Sequence, residues 1–345
     1  MTNRILLGLA LWLVVQAGQL PLQAAFINGH SYVPMADWAA ANGLKVYWDK
    51  RSRQVSVSNR ALVLHFELDS PQVIVNGVAV RMCYPAANDR GVPLISQLDA
   101  VKTIHPFLYP PRSPAPRHTT TICIDPGHGG RDTGNHVNSC NEKTYTLALA
   151  QELRDQLKGA GFNAFLTRTQ DTYMDLPDRP ALANRRGADL FVSLHFNATE
   201  TGQNEVWGPE TYCITPVGAS SSNAQGEGSN YGPTPANHAE QNSLVLAYET
   251  QKSLVKSLRV PDRGVRRARF AVLRDATMPA ILIEGGYMTH PTEGKRIFDA
   301  GYRRLMARAI VQAILAYEKL VRAVDAPTPA PVHPHGGRVA LATTF

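Results

Sequence analysis

The sequence predicts an α/β protein, a β-sheet with helices on both faces, preceded by a small β-rich α+β module. Three observations carry that prediction. Short apolar runs bounded by turn residues, Thr121 to Asp125, Leu190 to Leu194 and Ala280 to Ile283, have the length and Ile/Leu/Val content of buried strands. Stretches with apolar residues at helical spacing separate these runs, and strand–helix alternation builds a sheet covered on both sides. The first third of the chain instead carries Asn-Gly pairs between apolar arms, the strongest short hairpin signal. With 345 residues, 44% of them hydrophobic, the chain has room for two domains.

Taken in order, Arg4 stands ahead of an apolar stretch, Ile5 to Val15, and the small pair Ala24-Ala25, or Ala17, offers a cleavage site. A spanning helix needs roughly 20 apolar residues, and Gln16, Gln19 and Pro21 interrupt this one too early. Residues 1–25 therefore read as a signal peptide of a periplasmic or secreted protein with no stable membrane span after its removal.

Residues 26–104 form the β-rich module. Ile27 to Val33 around Asn28-Gly29 and Val73 to Val80 around Asn76-Gly77 are its hairpins. Each leads to a proline and then a helix-like piece, Met35 to Asn42 and Ser96 to Thr103, a weak internal duplication. His30, His65 and Asp69 lack ligand spacing and read as surface or core residues. Residues 105–118 hold Pro106, Pro110, Pro111, Pro114 and Pro116. Extended polyproline geometry, about 3.1 Å per residue, would make them a semi-rigid spacer and the domain boundary.

Residues 119–322 alternate. Leu147, Ala150, Leu153 and Leu157 mark a helical stripe stopped by Gly159 and Gly161. A strand from Ala164 to Thr167, a helix from Pro180 to Arg186 and the strand ending at His195 follow. Then come a helix from Leu244 to Leu258, a strand from Phe270 to Leu273 and a closing helix from Tyr302 to Val321. The tail, 323–345, is Pro-rich and predicted to be disordered.

The formal net charge is +7, which favours an acidic partner. The cations are scattered except at Arg263 to Arg269, and that cluster holds no aromatic ladder on which bases could stack, so no nucleic-acid partner is expected. An anionic polymer such as cell wall suits an exported protein better. Cys83, Cys123, Cys140 and Cys213 show no C-x-x-C spacing. In an oxidising compartment they could pair in three ways, although Cys123, in mid-strand, reads as a small buried hydrophobe.

The three strands each deliver a chemistry-bearing residue to the sheet edge where α/β proteins bind ligands. The first runs through Pro126-Gly127 into His128, the second ends on His195, the third on Glu284. A hydrolytic zinc keeps three protein ligands and one open position. His128 and His195 are two candidates, and Glu142, at a helix start after the polar loop Asn135 to Asn141, is the best third. Glu284 would stand beside the metal without binding it and move a proton from water to the leaving nitrogen. Each residue taken singly also has a plainer reading, a hydrogen-bonding histidine or a carboxylate capping a helix. His136 and His290 lie near the same elements. Asp125 and Asn197 would either orient ligands or satisfy backbone groups.

The run Asp125-Pro126-Gly127-His128-Gly129-Gly130, then Glu142, Ser193-Leu194-His195-Phe196-Asn197-Ala198 and Ile283-Glu284-Gly285-Gly286-Tyr287, resembles the zinc-dependent N-acetylmuramoyl-L-alanine amidases. Leu166-Thr167-Arg168, Ala183-Asn184-Arg185 and Val272-Leu273-Arg274 add to the likeness. The resemblance implies a twisted mixed β-sheet, Zn2+ bound by His128, Glu142 and His195, and catalysis by Glu284. It implies a peptidoglycan substrate, cut at the amide between N-acetylmuramic acid and L-alanine of the stem peptide. Asn197 and Arg274 are the candidate substrate contacts. Residues 26–104 resemble the N-terminal module also found on copper amine oxidases, which as a module binds no copper.

Pro216 to Gln241, rich in Gly, Ser and Asn, has no apolar helical stripe. Some relatives carry an occluding helix here that a partner removes; this chain is expected to have a flexible substrate-side loop and no such block. The rival readings are a zinc peptidase or deacetylase acting on another wall amide, and a catalytically silent or partner-activated wall-binding protein.

Overall fold

The computed structural model describes residues 25–112, 119–222 and 232–323. The expected signal peptide through residue 24 and the tail beyond residue 323 lie outside the described residues. The chain begins β1 (Ala25–Ile27), β2 (His30–Pro34), α1 (Met35–Ala41), β3 (Lys45–Asp49), β4 (Gln54–Ser58) and β5 (Val63–Glu67). It continues β6 (Gln72–Val75), β7 (Val78–Arg81), β8 (Ala87–Asp89), β9 (Val92–Ser96), α2 (Gln97–Asp99), a π-helical turn (Ala100–Ile104) and α3 (His105–Leu108). Both hairpin turns expected from Asn-Gly are present, and both residues of each pair have positive φ, as a two-residue turn matching the strand twist requires.

The second part holds β10 (Thr121–Pro126), β11 (His136–Val137), β12 (Cys140–Asn141), α4 (Glu142–Gly159), β13 (Asn163–Leu166), α5 (Asp178–Arg185), β14 (Leu190–Asn197) and β15 (Glu210–Cys213). After a 3-10 turn (Pro235–Ala239) come α6 (Glu240–Leu258), β16 (Val265–Arg267), α7 (Ala271–Arg274), β17 (Ala280–Tyr287), α8 (Glu293–Phe298) and α9 (Ala300–Ala323).

One twisted mixed sheet of 11 strands runs through the molecule in the order β13-β10-β14-β17-β15-β16-β7-β6-β5-β4-β3. The four strands from β13 to β17 are parallel, and β15 turns antiparallel against β17. Burial on both faces explains why the three strand runs are largely apolar rather than alternating. Ile122, Ile124, Val192, Leu194, Ile281 and Ile283 enter a core with residues of α4, α6 and α9. Their neighbours Cys123, Phe191 and Leu282 enter a second core with Ala183 of α5 and Val272 and Leu273 of α7.

Three expectations are corrected. Phe270 to Leu273 is not a strand: Phe270 is extended (φ −58°, ψ 142°) and the next four residues are α7, closed by Leu273 N and Arg274 N donating to Phe270 O at 2.9 and 3.0 Å. A four-residue apolar run has no period by which to tell the two apart. The proline-rich stretch starts as helix α3, because Pro106 stands in the first turn, where its missing N–H is not needed; residues 113–118 lie outside the described residues.

The module is also not held off by a spacer. β7 pairs with β16 at Val80 and Val265, Ala79 N donates to Asp262 Oδ2 at 2.7 Å, and Lys102 pairs with Glu240 at 2.6 Å. Tyr248 of α6 packs its ring on Phe107, 4.8 Å between centroids, and its hydroxyl donates to Val75 O. The cysteines, to which the sequence assigned no pairing, are all four free thiols, with Cys123 buried in mid-strand as read from the sequence and Cys213 buried as well.

Candidate active site

β10 and β14 place two histidines side by side by exploiting a missing side chain. Gly127 N donates to Leu194 O at 3.0 Å, which continues the β10–β14 pairing to the level of His195. A Cβ on Gly127 would stand 2.2 Å from His195 Cε1, so only glycine leaves room for that ring. The next residue, His128, turns its backbone into the left-handed region at φ +63°.

Two buried arginines hold that turn. Arg168 donates to the carbonyls of Pro126 and Gly127 at 3.0 and 2.8 Å, and Arg179 to those of Pro126 and His128, both at 2.9 Å. Arg179 also pairs with Asp125 at 2.9 Å, both side chains within 1% of full burial. Thr167 and Ser193 hydroxyls complete the Asp125 carboxylate at 2.6 and 2.8 Å. Asp125 is thus a support beneath the site. Arg179 was not singled out from the sequence; its helix start is polar and carries no period that points inward.

Glu142 opens α4, where the helix dipole favours a carboxylate. Its side chain is buried and takes N–H bonds from Asn135 at 2.9 Å and Phe196 at 3.0 Å, which aim it. His128 Nε2 and Glu142 Oε2, His195 Nδ1 and Glu142 Oε1, and the two imidazole nitrogens all stand 3.1 Å apart. Two nitrogens that close share either a hydrogen, as an N–H···N bond, or a cation between them. Ligands bound at about 2.0–2.1 Å around a tetrahedral zinc are spaced about 3.3 Å apart; one donor atom from each of the three residues lies within 4.8 Å of the others, a set of the kind that would hold such an ion. His128 Nδ1 meets Asp132 Oδ2 at 2.9 Å, the outer carboxylate that ligating histidines usually have.

The electrostatics agree. Burial disfavours charge on His128, but the carboxylates of Glu142 and Asp132 outweigh it and raise its pKa. Burial likewise works against the Glu142 anion, yet hydrogen bonds from the two histidines pull its pKa far below the usual range.

Glu284 stands in register with His195 on one side and Glu210 of β15 on the other. Burial, then the charges of Glu142 and Glu210, push its pKa well above the ordinary value. Its Oε2 is buried and has no hydrogen-bond partner among the described residues. It shares a pocket of about 490 Å³ with His128, Asp132, Asn135, Glu142 and His195, walled by Leu176, Phe270, Val272 and Leu282.

The other candidates lie elsewhere. His136 is exposed and bonds Asn141 at 2.7 Å, and His290 Nδ1 accepts from Glu293 N at 3.0 Å, so neither joins the cluster. Asn197 ends β14, its carbonyl accepting from Met288 N, and Arg274 ends α7 with a buried, unpartnered Nε. Glu210, missed from the sequence, is a buried carboxylate bound by Arg263 at 2.6 Å and by the Tyr212 and Tyr287 hydroxyls at 2.7 and 3.0 Å. Arg263 and Arg266 serve it, and Arg267 is buried against Lys102 O, so the one cationic run is largely spent inside the fold. In the segment from Pro216 to Gln241, residues 223–231 lie outside the described residues. Among the described residues no part of that segment lines the pocket.

Fold and site together define a hydrolase of the α/β class. The family profile described as N-acetylmuramoyl-L-alanine amidase matches residues 122–316, and that of the copper amine oxidase N-terminal domain matches residues 15–99. An uncharacterised Bacillus subtilis protein, YqiI, is 35% identical over 197 residues, 57% of this chain and 84% of the relative. N-acetylmuramoyl-L-alanine amidase AmiA of Escherichia coli is 31% identical over 219 residues, covering 57% of this chain and 75% of the relative. An amidase structure from Clostridium difficile, 34% identical, covers 61% of this chain and 100% of its own with a TM-score of 0.49. The chain belongs to the N-acetylmuramoyl-L-alanine amidase family.

Proposed function

We propose that this chain hydrolyses the amide between N-acetylmuramic acid and the L-alanine of the peptidoglycan stem, with Zn2+ held by His128, Glu142 and His195 and with Glu284 carrying the proton. Zinc in such a site lowers the pKa of water to about 7 and polarises a carbonyl. Water oxygen adds to the lactyl carbonyl carbon while Glu284 takes its proton. Glu284 then returns a proton to the alanine nitrogen as the C–N bond breaks, leaving a muramyl carboxylate and a free peptide amine.

The observation that carries this reading is the unpartnered Glu284 oxygen, in register with His195 and inside the same pocket. A carboxyl held above its ordinary pKa by burial is suited to both halves of the transfer. Leu176, Phe270 and Val272 offer an apolar wall for stem methyl groups. Asn197 and Arg274 are proposed as outlying substrate contacts.

The enzyme is proposed to act outside the cytoplasm, periplasmic or secreted. Support comes from Arg4 and the Ile5–Val15 stretch, and from the location of the wall itself. No described helix is long and apolar enough to cross a membrane. The catalytic unit is proposed as residues 119–322 and the β-rich module as 26–104.

The test is release of stem peptide from purified peptidoglycan by wild type and Glu284→Ala, with mass spectrometry of products and zinc content of both. Peptides beginning at L-alanine from wild type alone, with zinc in both, are expected. Glu284→Ala releasing peptide at the wild-type rate would reject Glu284 as the proton carrier.

A further inference from the structure

Cations that look scattered along the sequence are gathered by the fold. A cleft of about 970 Å³ lies where the end of α6, α8 and the start of α9 meet. Arg259, Lys295 and Arg296 line it, with Leu258 and Leu305 between them, and it shares no lining residue with the active-site pocket. Among the described residues no carboxylate stands within 4.0 Å of any of the three cations, and Arg296 acts only at longer range on the buried Glu293. Asp299, the acid in the lining, accepts from Tyr302 N at 2.8 Å and so caps the start of α9.

A second observation is independent of charge. Tyr302 also lines the cleft and adds an aromatic side chain to it, its hydroxyl being buried beneath the surface. Three cations without an ion-pair partner, beside the exposed Leu305 and the Tyr302 side chain, call for an anion with apolar parts. A bare phosphate would use the charges and leave Leu258 and Leu305 idle. A short peptide with alanine methyls and free carboxylates uses both, and the cleft is of a size that holds small ligands.

We propose that this cleft binds the carboxylates of uncleaved stem peptides on a wall strand other than the one in the active site. The inference rests on the peptidoglycan reading above. It gives the enzyme a second, non-catalytic hold on its polymer, on the α6–α9 side of the sheet and away from α7, which walls the active site. Two weak sites on one insoluble polymer act together, so loss of one is felt as retention rather than turnover.

The experiment compares full chains carrying Glu284→Gln, so that the wall is not digested, with and without Arg259→Gln, Lys295→Gln and Arg296→Gln. Co-sedimentation with teichoic-acid-free sacculi should weaken about tenfold or more in the triple variant. The parent's extra binding should vanish near about 0.5 M salt, and on sacculi whose carboxylates have been amidated. With Glu284 restored, the triple variant should cut a soluble disaccharide-peptide as fast as wild type. Equal sedimentation of parent and triple variant, or undiminished binding of the parent to amidated sacculi, overturns the proposal. So does a loss confined to phosphatidylglycerol vesicles, which would make the ligand a lipid phosphate. Failure of wild type to cut the soluble fragment would instead remove the amidase reading, while the amidation comparison still reports on the cleft.

Discussion

Replacing Gly127 by alanine adds one methyl group, and the structure states what that methyl would meet. The new Cβ would lie 2.2 Å from His195 Cε1, 2.5 Å from Nε2 and 2.7 Å from Nδ1. The neighbour is the flat of an imidazole, which has no flexible end to give way. Ordinary contact begins at 3.4 Å, so ring and strand must part by about 1.2 Å. Gly127 is not among the positive-φ glycines, so the cost is steric and owes nothing to backbone strain. His195 Nδ1 stands 3.1 Å from both His128 Nε2 and Glu142 Oε1, and a displacement that large breaks both distances. Perturbing a ligand's support lowers metal affinity about 10–100-fold, and a 1 Å misplacement costs roughly 10²-fold in rate. Overpacking destabilises by about 1–3 kcal/mol. Zinc affinity by chelator competition, amidase turnover and a thermal melt measure the three. Zinc affinity and turnover at wild-type level in Gly127→Ala would refute both the role of His195 as a ligand and the reason given for glycine at this position.

Two further predictions concern the supports of the site. Arg179→Met removes one partner of a fully buried ion pair and strands Asp125, which should destabilise by about 3–5 kcal/mol; denaturant unfolding checks it, and a change under 1 kcal/mol would contradict the pairing. Burial alone would raise the Glu210 pKa, but Arg266, Arg263 and Tyr212 together pull it below the ordinary 4.5. Its anion therefore contributes stability above that value and loses it as pH falls through the lower, folded-state pKa. Glu210→Gln should melt below wild type at neutral pH, and the gap should close as the pH falls below 4.5; a gap that stays constant across the titration would be the opposing result.

The strands that carry the site were legible because both of their faces are buried. Ile122, Val192 and Ile281 had to be apolar for one core, Cys123, Phe191 and Leu282 for the other, and the run ends where the chemistry begins. The meeting of His128, Glu142 and His195 followed from strand ends and a helix start. What sequence could not reveal depends on contacts between distant segments. Arg179 acts through carbonyl groups and through Asp125, 54 residues away in the chain, and nothing in its own polar helix start marks it. Glu210 lies on a four-residue strand too short to show a period. Lys295 and Arg259 are far apart along the chain and come together only as lining residues of one cleft in the folded protein. Phe270 to Leu273 was misread because four apolar residues suit either a strand or a turn of helix.

The junction of β7 with β16 has a consequence for handling the molecule in pieces. A chain cut to residues 119–322 would lose the strand that covers the outer side of β16. It would also bare the Tyr248 side of α6, now covered by Phe107 and the β6 carbonyl of Val75. An uncovered strand edge beside an apolar helix face is a template for self-association. The module thus shields the catalytic sheet from its own kind, whatever it does for the wall, and charged substitutions along β16 would blunt the edge that a trimmed catalytic fragment exposes.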